Sequence, residues 1–184
     1  VLSATERQLK SISDESSPQG IVLVIQKPHA PHVPRKKDNV VLMLDALQDP
    51  GNLGTILRTA EWFGIQTIIL GKGCVELYNP KVVRSAMGAV FRCAVLEQAH
   101  LDHQLDIFKS MGFRILGAVL HGSQELKHIR ASGHDVLVIG NEANGISDSL
   151  LPYLDETVSI PQKGAGESLN AAVAAAIFMY HLTV

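Results

Sequence analysis

The sequence predicts an α/β fold in which helices flank a mostly parallel sheet. Apolar runs of strand length recur along the chain, and helical patterns lie between most of them. The runs are apolar throughout, as is typical of parallel strands covered on both faces. The chain has 184 residues, of which 46% are hydrophobic, so it is long enough to bury one sizeable core.

The elements follow one another in a regular order. Aromatic residues are few, at 5%, so we expect a core of Val, Ile, Leu and Ala. The predicted helices lie near 52–63, 79–87, 101–111 and 168–182. The predicted strands are residues 21–26, 40–44, 67–70, 113–120, 135–140 and 157–160.

The segment 27–38 divides the chain into two parts. Pro28, Pro31 and Pro34 prevent regular helix and sheet, and the basic run 35–37 follows them. We therefore interpret residues 1–38 as the end of an N-terminal region with a basic, Pro-rich linker, and residues 39–184 as one compact domain. The linker's charges are equally compatible with contact to a polyanion and with simple solvation.

Composition narrows the class of function. The net charge is -2 and the pI is about 6.5, so the chain lacks the basic balance of a free-standing nucleic-acid binder. Cys74 and Cys93 form no CxxC pair and indicate a reducing, cytoplasmic setting. No run approaches the roughly 18 apolar residues of a membrane span. The pairs His29/His32 and His100/His103 lack further ligands in a recognisable pattern, so no metal site is expected.

A Gly- and Asn-containing turn, 49–54, leads into the predicted helix 52–63. At about 100° per residue, Arg58 lies roughly 140° from Leu53 and points away from the core. Arg58 could be a solvated arginine and Asn52 a helix cap. The turn nevertheless follows a strand's C-terminal end, where open α/β sheets bind ligands. The apolar stripe of this helix is Leu53, Ile56, Leu57, Ala60 and Phe63.

Two later strands also run into polar, Gly-containing loops. Residues 136–147 carry Gly140 and Glu142, without the spacing of a dinucleotide-binding fingerprint. Residues 157–180 carry a Gly-rich loop, then Ser168 and an Ala-rich helix, without the spacing of a P-loop. Ser168 could be a helix cap, and the Ala-rich helix could be buried in a subunit interface.

In this order, the three stretches resemble the three motifs of the SpoU/TrmH family, which are S-adenosylmethionine-dependent RNA 2′-O-ribose methyltransferases of the SPOUT superfamily. The first motif matches 49–64, with Asn52 and Arg58. The second matches 139–146, and the third matches 160–180. A softer match covers 80–95, where Ala86 replaces a common Ser and receives no predicted role. The resemblance covers about residues 38–184.

The resemblance implies a sheet whose C-terminal part forms a trefoil knot, and a homodimer with helix 168–182 at its interface. It also implies a cytoplasmic protein that acts on RNA, with ribosomal RNA favoured and transfer RNA as the alternative. Residues 1–26 resemble the junction that follows the family's small RNA-binding domain. Residues 39–184 would then be the catalytic domain. The implied cofactor is S-adenosylmethionine, held by Leu116, Gly117, Ala118, Ile139, Gly140, Asn141, Ile160, Ser168 and Leu169.

The implied reaction transfers a methyl group to a weakly acidic ribose hydroxyl. The family assigns removal of the proton to Arg58, but a guanidinium holds its own proton tightly, so electrostatic stabilisation beside a phosphate is the alternative. Glu142 would orient the loop or Arg58. The implied catalytic residues are Arg58, Asn52, Glu142, Ser168 and Asn170, and the implied RNA-binding residues are Arg58, Arg84, Arg92 and Lys163.

Two rival classes of function are set against this one. A catalytically inert RNA-binding module would have no need of the intact motif residues. A nucleotide-dependent oxidoreductase would need a Gly-rich first turn and a downstream acid, and residues 45–54 do not fit that spacing.

Overall fold

The computed structural model describes residues 2–13, 19–27 and 38–184. Its strands form one sheet, and every pairing between them is parallel. This confirms the predicted α/β class with a mostly parallel sheet. The strands are β1 Val40–Leu44, β2 Thr67–Gly71, β3 Ala94–Ala99, β4 Arg114–Ala118, β5 Gln124–Glu125, β6 Asp135–Ile139 and β7 Glu156–Ser159. Their spatial order is β3-β2-β1-β6-β4-β7-β5.

Helices cover both faces of the sheet, as the uniformly apolar strands require. Side chains alternate along β1, so Leu42 packs with α2 and α5, and Met43 packs with α4. No helix of the described residues is long and apolar enough to cross a membrane. The helices are α1 Glu6–Ile12, α2 Pro50–Trp62, α3 Pro80–Ser85, α4 Leu101–Ser110 and α5 Ala171–Thr183, with 3-10 turns at Ala89–Phe91, Leu126–His128 and Asp148–Tyr153.

Three strand assignments differ from the prediction, and the simplest case is β5, a two-residue strand that is too short to predict from an apolar run. Residues 21–26 were predicted as a strand, but they are exposed and form no secondary structure. The prediction is wrong because an apolar run is stable as a strand only beside a pairing partner. Strand β3 escaped prediction because it is a half-buried edge strand, with a register shift and a positive φ of 54° at Gln98. The predicted linker lies largely in 28–37, outside the described residues.

The loops that follow the central strands all lie at the C-terminal edge of the sheet. Strands β1, β6, β4 and β7 are adjacent and parallel, so their C-terminal ends meet there. The Asp45 N–H donates to Ile139 O at 2.8 Å, and the buried Asp45 carboxylate accepts from Ser147 N at 2.7 Å. The loops after β1 and β6 are thereby fixed side by side, at the edge where open α/β sheets bind ligands.

Gly54 sets the separation of α2 and α3, and its substitution tests this packing. A Cβ at Gly54 would overlap Ser85 Oγ and lie 2.8 Å from Val82 O. We expect Gly54→Ala to lower the free energy of unfolding by about 1–3 kcal/mol, because the backbone of α3 cannot yield cheaply. Urea denaturation measures the loss. Gly166→Ala is the control, since a Cβ there meets nothing within 4 Å, and equal stability of both variants would contradict the packing argument.

Candidate active site

Helix α2 begins at Pro50 because Asp49 caps it. The Asp49 carboxylate accepts a hydrogen bond from Asn52 N at 2.7 Å and lies 3.7 Å from Lys81 Nζ. Pro at the first helical position costs no hydrogen bond, since that N–H would be unpaired in any case. The sequence left open that Asn52 caps this helix, and that interpretation is wrong. The side-chain amide of Asn52 is therefore available for contacts across the site.

The Asn52 side chain joins all three motifs. Its Nδ2 donates to Glu142 Oε1 at 3.1 Å, and its Oδ1 accepts from Asn170 Nδ2 at 2.9 Å. These partners are 90 and 118 positions away along the chain. The structure thus brings together Asn52, Glu142 and Asn170, three of the five residues predicted to be catalytic.

Glu142 holds the loop after β1 rather than Arg58. Its carboxylate accepts from Gln48 N at 3.4 Å and Asp49 N at 3.3 Å, in addition to Asn52. Partial burial raises the pKa of the Glu142 carboxyl, but the hydrogen bonds from Asn52 and from backbone N–H groups, its own included, outweigh burial, and the net pKa is lowered. Of the two roles considered for Glu142, the structure shows the loop contact.

Asn170 caps α5, so this helix begins three residues later than the prediction of 168–182. The Asn170 Oδ1 accepts from Ala172 N at 2.9 Å and Val173 N at 3.3 Å. Ser168 is consequently not a cap and lies exposed in the loop that precedes the helix. Asn170 therefore uses its carbonyl for the helix and its amide for Asn52, which fixes the end of the third motif to the first.

The loop after β6 is closed by its own hydrogen bonds. Asn141 and Gly145 exchange two backbone bonds of 2.9 Å, and Asn141 Nδ2 reaches Ala46 O at 2.8 Å. A Cβ at Gly140 would overlap the backbone of Gly145 and Ile146, so only Gly fits there. Ala46 itself has a positive φ of 52°, a strained conformation for a non-Gly residue that the Asn141 bond helps to hold.

The predicted RNA-binding cations differ in their surroundings. Arg58 is exposed on α2 and makes no hydrogen bond or ion pair with the part of the chain that the structure describes. Lys163 and Arg84 are also exposed. Arg92, in contrast, forms a two-point ion pair with Glu61, which includes a 2.7 Å bond from Nη2 to Oε2. The structure leaves Arg58 accessible and satisfies much of the charge of Arg92.

The residues predicted to hold a cofactor divide into buried and accessible groups. Leu116, Gly117 and Ile139 lie within buried strand interiors, where they can shape a pocket floor but offer no free side chain. Ala118, Asn141 and Ile160 are half-buried at strand ends. Ser168 is exposed, and Leu169 is 49% exposed. The accessible apolar and small groups stand at the C-terminal edge of β4, β6 and β7.

Sequence reasoning missed two residues that hold the first motif. The Asp45 carboxylate accepts a hydrogen bond from the loop after β6. Its position directly after an apolar run was the feature of the sequence that could have identified it. Cys74 Sγ donates to Leu44 O at 3.2 Å and accepts from Leu47 N at 3.3 Å. Burial raises the pKa of the Cys74 thiol to about 11, so it stays protonated and serves as a donor. A lone cysteine gave no such signal in the sequence.

No group of three or more His, Cys, Asp or Glu within the described residues is placed to hold a metal ion. Among the described residues, the site instead combines the amides of Asn52 and Asn170, the Glu142 carboxylate and exposed loop backbone, with the exposed Arg58 further along α2. The sequence profile of the SpoU rRNA Methylase family matches residues 39–180. The chain belongs to this family. Its three motif regions coincide with the three loops that the Asn52 hydrogen bonds join.

Sequence similarity to named proteins supports this family membership. The chain is 36% identical over 178 residues to the 23S rRNA (guanosine(2553)-2′-O)-methyltransferase RlmP of Bacillus subtilis, across 97% of this chain and 70% of the relative. The chain spans only 63% of the length of a relative from Synechocystis.

Solved structures give the same picture. The structure of an S-adenosylmethionine-bound rRNA methyltransferase from Sinorhizobium meliloti matches with a TM-score of 0.83 and 30% identity, over 97% of this chain and 69% of the other. AviRb from Streptomyces viridochromogenes, a SpoU methyltransferase in complex with the same cofactor, matches with a TM-score of 0.76 and 30% identity, over 82% of this chain and 61% of the other.

The lowered pKa of Glu142 predicts a pH-dependent contribution to stability. A carboxylate with a depressed pKa stabilises the fold above its ordinary value, 4.5, and loses this contribution as the pH falls through the folded-state pKa. We expect Glu142→Gln to unfold more easily at pH 7 by about 1 kcal/mol, after allowance for solvent exposure. The difference should close below pH 4.5.

Thermal unfolding of wild type and variant across this pH range measures the difference. Glu76→Gln is the matched control, because the exposed Glu76 carboxylate accepts no hydrogen bond from the described residues. A gap between wild type and Glu142→Gln that stays constant with pH would mean that the charge of Glu142 does not support the site.

Proposed function

We propose that this chain methylates a ribose 2′-hydroxyl of ribosomal RNA with S-adenosylmethionine as the donor. The observation that carries the proposal is the hydrogen-bonded chain from Glu142 through Asn52 to Asn170, with Arg58, which pairs with none of the described residues, on the same helix as Asn52. Such an arrangement supplies fixed polar groups and one accessible positive charge at a ligand-binding edge of the sheet. The name of the Bacillus relative supports ribosomal RNA over transfer RNA.

The accessible groups around the loops after β4, β6 and β7 fit the proposed cofactor. Leu169 and Ile160 offer apolar surface for an adenine, and exposed backbone in 161–170 offers hydrogen-bonding groups. Gly164 and Gly166 have open space around them, so a ligand can approach their backbone closely. When bound, S-adenosylmethionine supplies a methyl group activated by its sulfonium.

Arg58 acts electrostatically in this proposal. A guanidinium is too reluctant to lose its proton to serve as a general base near neutral pH. As a cation with free N–H donors, Arg58 binds a phosphate beside the acceptor ribose and stabilises the negative charge that develops on the 2′-oxygen. Asn52 and Glu142 keep the loop after β1 in place, and Ser168, exposed two residues before Asn170, contacts the acceptor nucleotide in this proposal.

The proposal includes a knotted C-terminal part. The segment between β4 and β6 contacts the chain on both sides of the third motif. Ser123 N donates to Thr157 Oγ1 of β7 at 2.9 Å, and Ile129 O lies 2.6 Å from Nε2 of His181, which is on α5. These contacts support a segment that wraps around the passing C-terminal chain, as a trefoil knot requires.

The proposal also includes a separate N-terminal unit. Helix α1 has no buried residue, and the apolar residues 21–25 are 43–96% exposed. Exposed apolar groups in this number are unfavourable unless another part of a protein covers them. We assign residues 1–38 to the end of such a unit and its linker, and residues 39–184 to the catalytic domain. The free thiols Cys74 and Cys93 and an RNA substrate agree with a cytoplasmic setting.

The reaction separates into cofactor binding and methyl transfer, and one variant tests each part. Leu169→Arg places a bulky cation on the proposed pocket, so we expect calorimetric titration to show loss of S-adenosylmethionine binding. Arg58→Ala should leave that binding unchanged and lower the methylation rate by about 10²–10³-fold, the usual effect of removing one electrostatic stabiliser. Transfer of labelled methyl groups to ribosomal and transfer RNA measures the rate.

Three results would count against this assignment. Absence of cofactor binding by the folded wild type would favour the inert RNA-binding module. Preference for transfer RNA would overturn the assigned substrate. A steep rise of the wild-type rate with pH that disappears in Arg58→Lys would identify Arg58 as a general base.

A homodimer completes the proposal, and α5 offers its interface. Val173, Ile177 and Tyr180 follow helical spacing and are 48%, 38% and 57% exposed. We expect Val173→Glu to shift sedimentation towards the monomer, because a charge at the centre of an apolar interface is unpaired. Glu near the start of a helix is favourable, so the fold itself should persist. Leu151→Glu, at a 43% exposed position on the other face of the sheet, should leave the assembly unchanged.

A further inference from the structure

The single tryptophan of the chain stands almost fully in solvent. Trp62 is the last residue of α2 and is 84% exposed. At about 100° per residue it lies roughly 180° from Leu53, directly opposite the buried stripe of the helix. A tryptophan gains more from burial than most side chains, so one held in solvent one helical turn beyond Arg58 indicates a surface that becomes covered.

Trp62 shares its face of α2 with Arg58. The two residues are four positions apart, so their side chains are neighbours on the helix surface, about 5–6 Å apart at Cβ. Arg58 makes no ion pair or hydrogen bond within the part of the chain that the structure describes. The face therefore presents one flat aromatic ring next to one uncompensated cation.

The border of this face has the same mixed character. Arg92 pairs with Glu61, the residue before Trp62, and its Nη2 also donates to Met87 O at 3.3 Å. The side chains of Met87 and Phe91 are 66% and 49% exposed. Aromatic and apolar surface interleaved with guanidinium groups is the composition that binds single-stranded nucleic acid, through base stacking and phosphate contacts.

We propose that Trp62 stacks on a base of the substrate RNA adjacent to the phosphate that Arg58 holds. This inference rests on the proposed RNA methyltransferase activity and adds to it a residue that positions the acceptor strand. A second copy of the chain is the competing occupant. The free charge of Arg58 favours RNA, because an interface between copies would bury that cation without a partner, whereas phosphate pairs with it. The uncharged stripe on α5 has the composition suited to the second copy.

Because Trp62 is the sole tryptophan, its fluorescence reports on this position alone. Titration with a ten-nucleotide oligoadenylate, excited at the red edge of the tryptophan absorption band, should quench the emission in step with RNA binding. Inorganic polyphosphate carries the charge without bases, so it should bind the cations and leave the emission nearly unchanged. Binding of oligoadenylate without quenching would overturn the inference.

Substitutions separate stacking from simple burial. Trp62→Leu keeps apolar area but loses the flat ring, and it should weaken binding of oligoadenylate by about fivefold or more, whereas Trp62→Phe should retain part of the affinity. Leu151→Ala is the control, an exposed apolar residue on the opposite face of the sheet. Trp62→Leu should raise the KM for RNA and leave S-adenosylmethionine binding unchanged.

The outcomes separate this inference from the proposed function. If the wild type methylates RNA and Trp62→Leu has the same KM for RNA, stacking is wrong and the activity stands. If the wild type neither binds nor methylates RNA, both are wrong. If Trp62→Leu dissociates a dimer in sedimentation and its loss of activity is recovered at high protein concentration, Trp62 belongs to a subunit interface and the stacking role is overturned.

Discussion

The site depends on one side-chain amide that is hydrogen-bonded at both its donor end and its acceptor end. Asn52 donates to Glu142 and accepts from Asn170, and neither partner is near it in the sequence. An amide has a distinct donor end and acceptor end, so it fits between a carboxylate and another amide in only one orientation. Each loop is thereby held against the other two. Replacing any of the three side chains by an apolar group would leave the others with unmet hydrogen bonds.

The sheet makes this convergence possible. Strand β6 lies between β1 and β4, although it follows them in the chain, and its parallel pairing places residue 140 beside residue 45 at the same edge. Asp45 and Asn141 then bond the two loops directly, through Ser147 N and Ala46 O. Cys74 supports the first loop from below, through the Leu44 carbonyl and the Leu47 N–H. These hydrogen bonds fix the loops where they leave the strands, and this helps to hold the polar groups further along each loop in position.

The sequence could reveal the elements and the motif residues but not how they pair. Strands such as 40–44 were predictable because an uninterrupted apolar run has few alternatives, whereas β3 has a bulged, half-buried pattern that matches no simple period. Asn52 and Ser168 were reasonable caps by residue type. Asp49 and Asn170 are equally suitable by type, and only the three-dimensional position of each backbone N–H decides between them. The same holds for Glu142, whose partners come from loops fixed by the sheet order.

The hydrogen bonds of Glu142 keep its carboxylate at the first turn of α2, away from Arg58. Asn52 and Arg58 are six residues apart, which is about 9 Å along the axis of α2 and roughly 120° around it, so a carboxylate held against Asn52 does not reach the guanidinium. In this structure the Glu142 carboxylate is already occupied by Asn52 Nδ2 and by the N–H groups of residues 48 and 49. An ion pair with Arg58 would break those hydrogen bonds and replace them with a solvent-screened contact that contributes little to stability. The guanidinium is exposed and pairs with no acidic group in the part of the chain that the structure describes, a state in which it attracts an anionic substrate strongly.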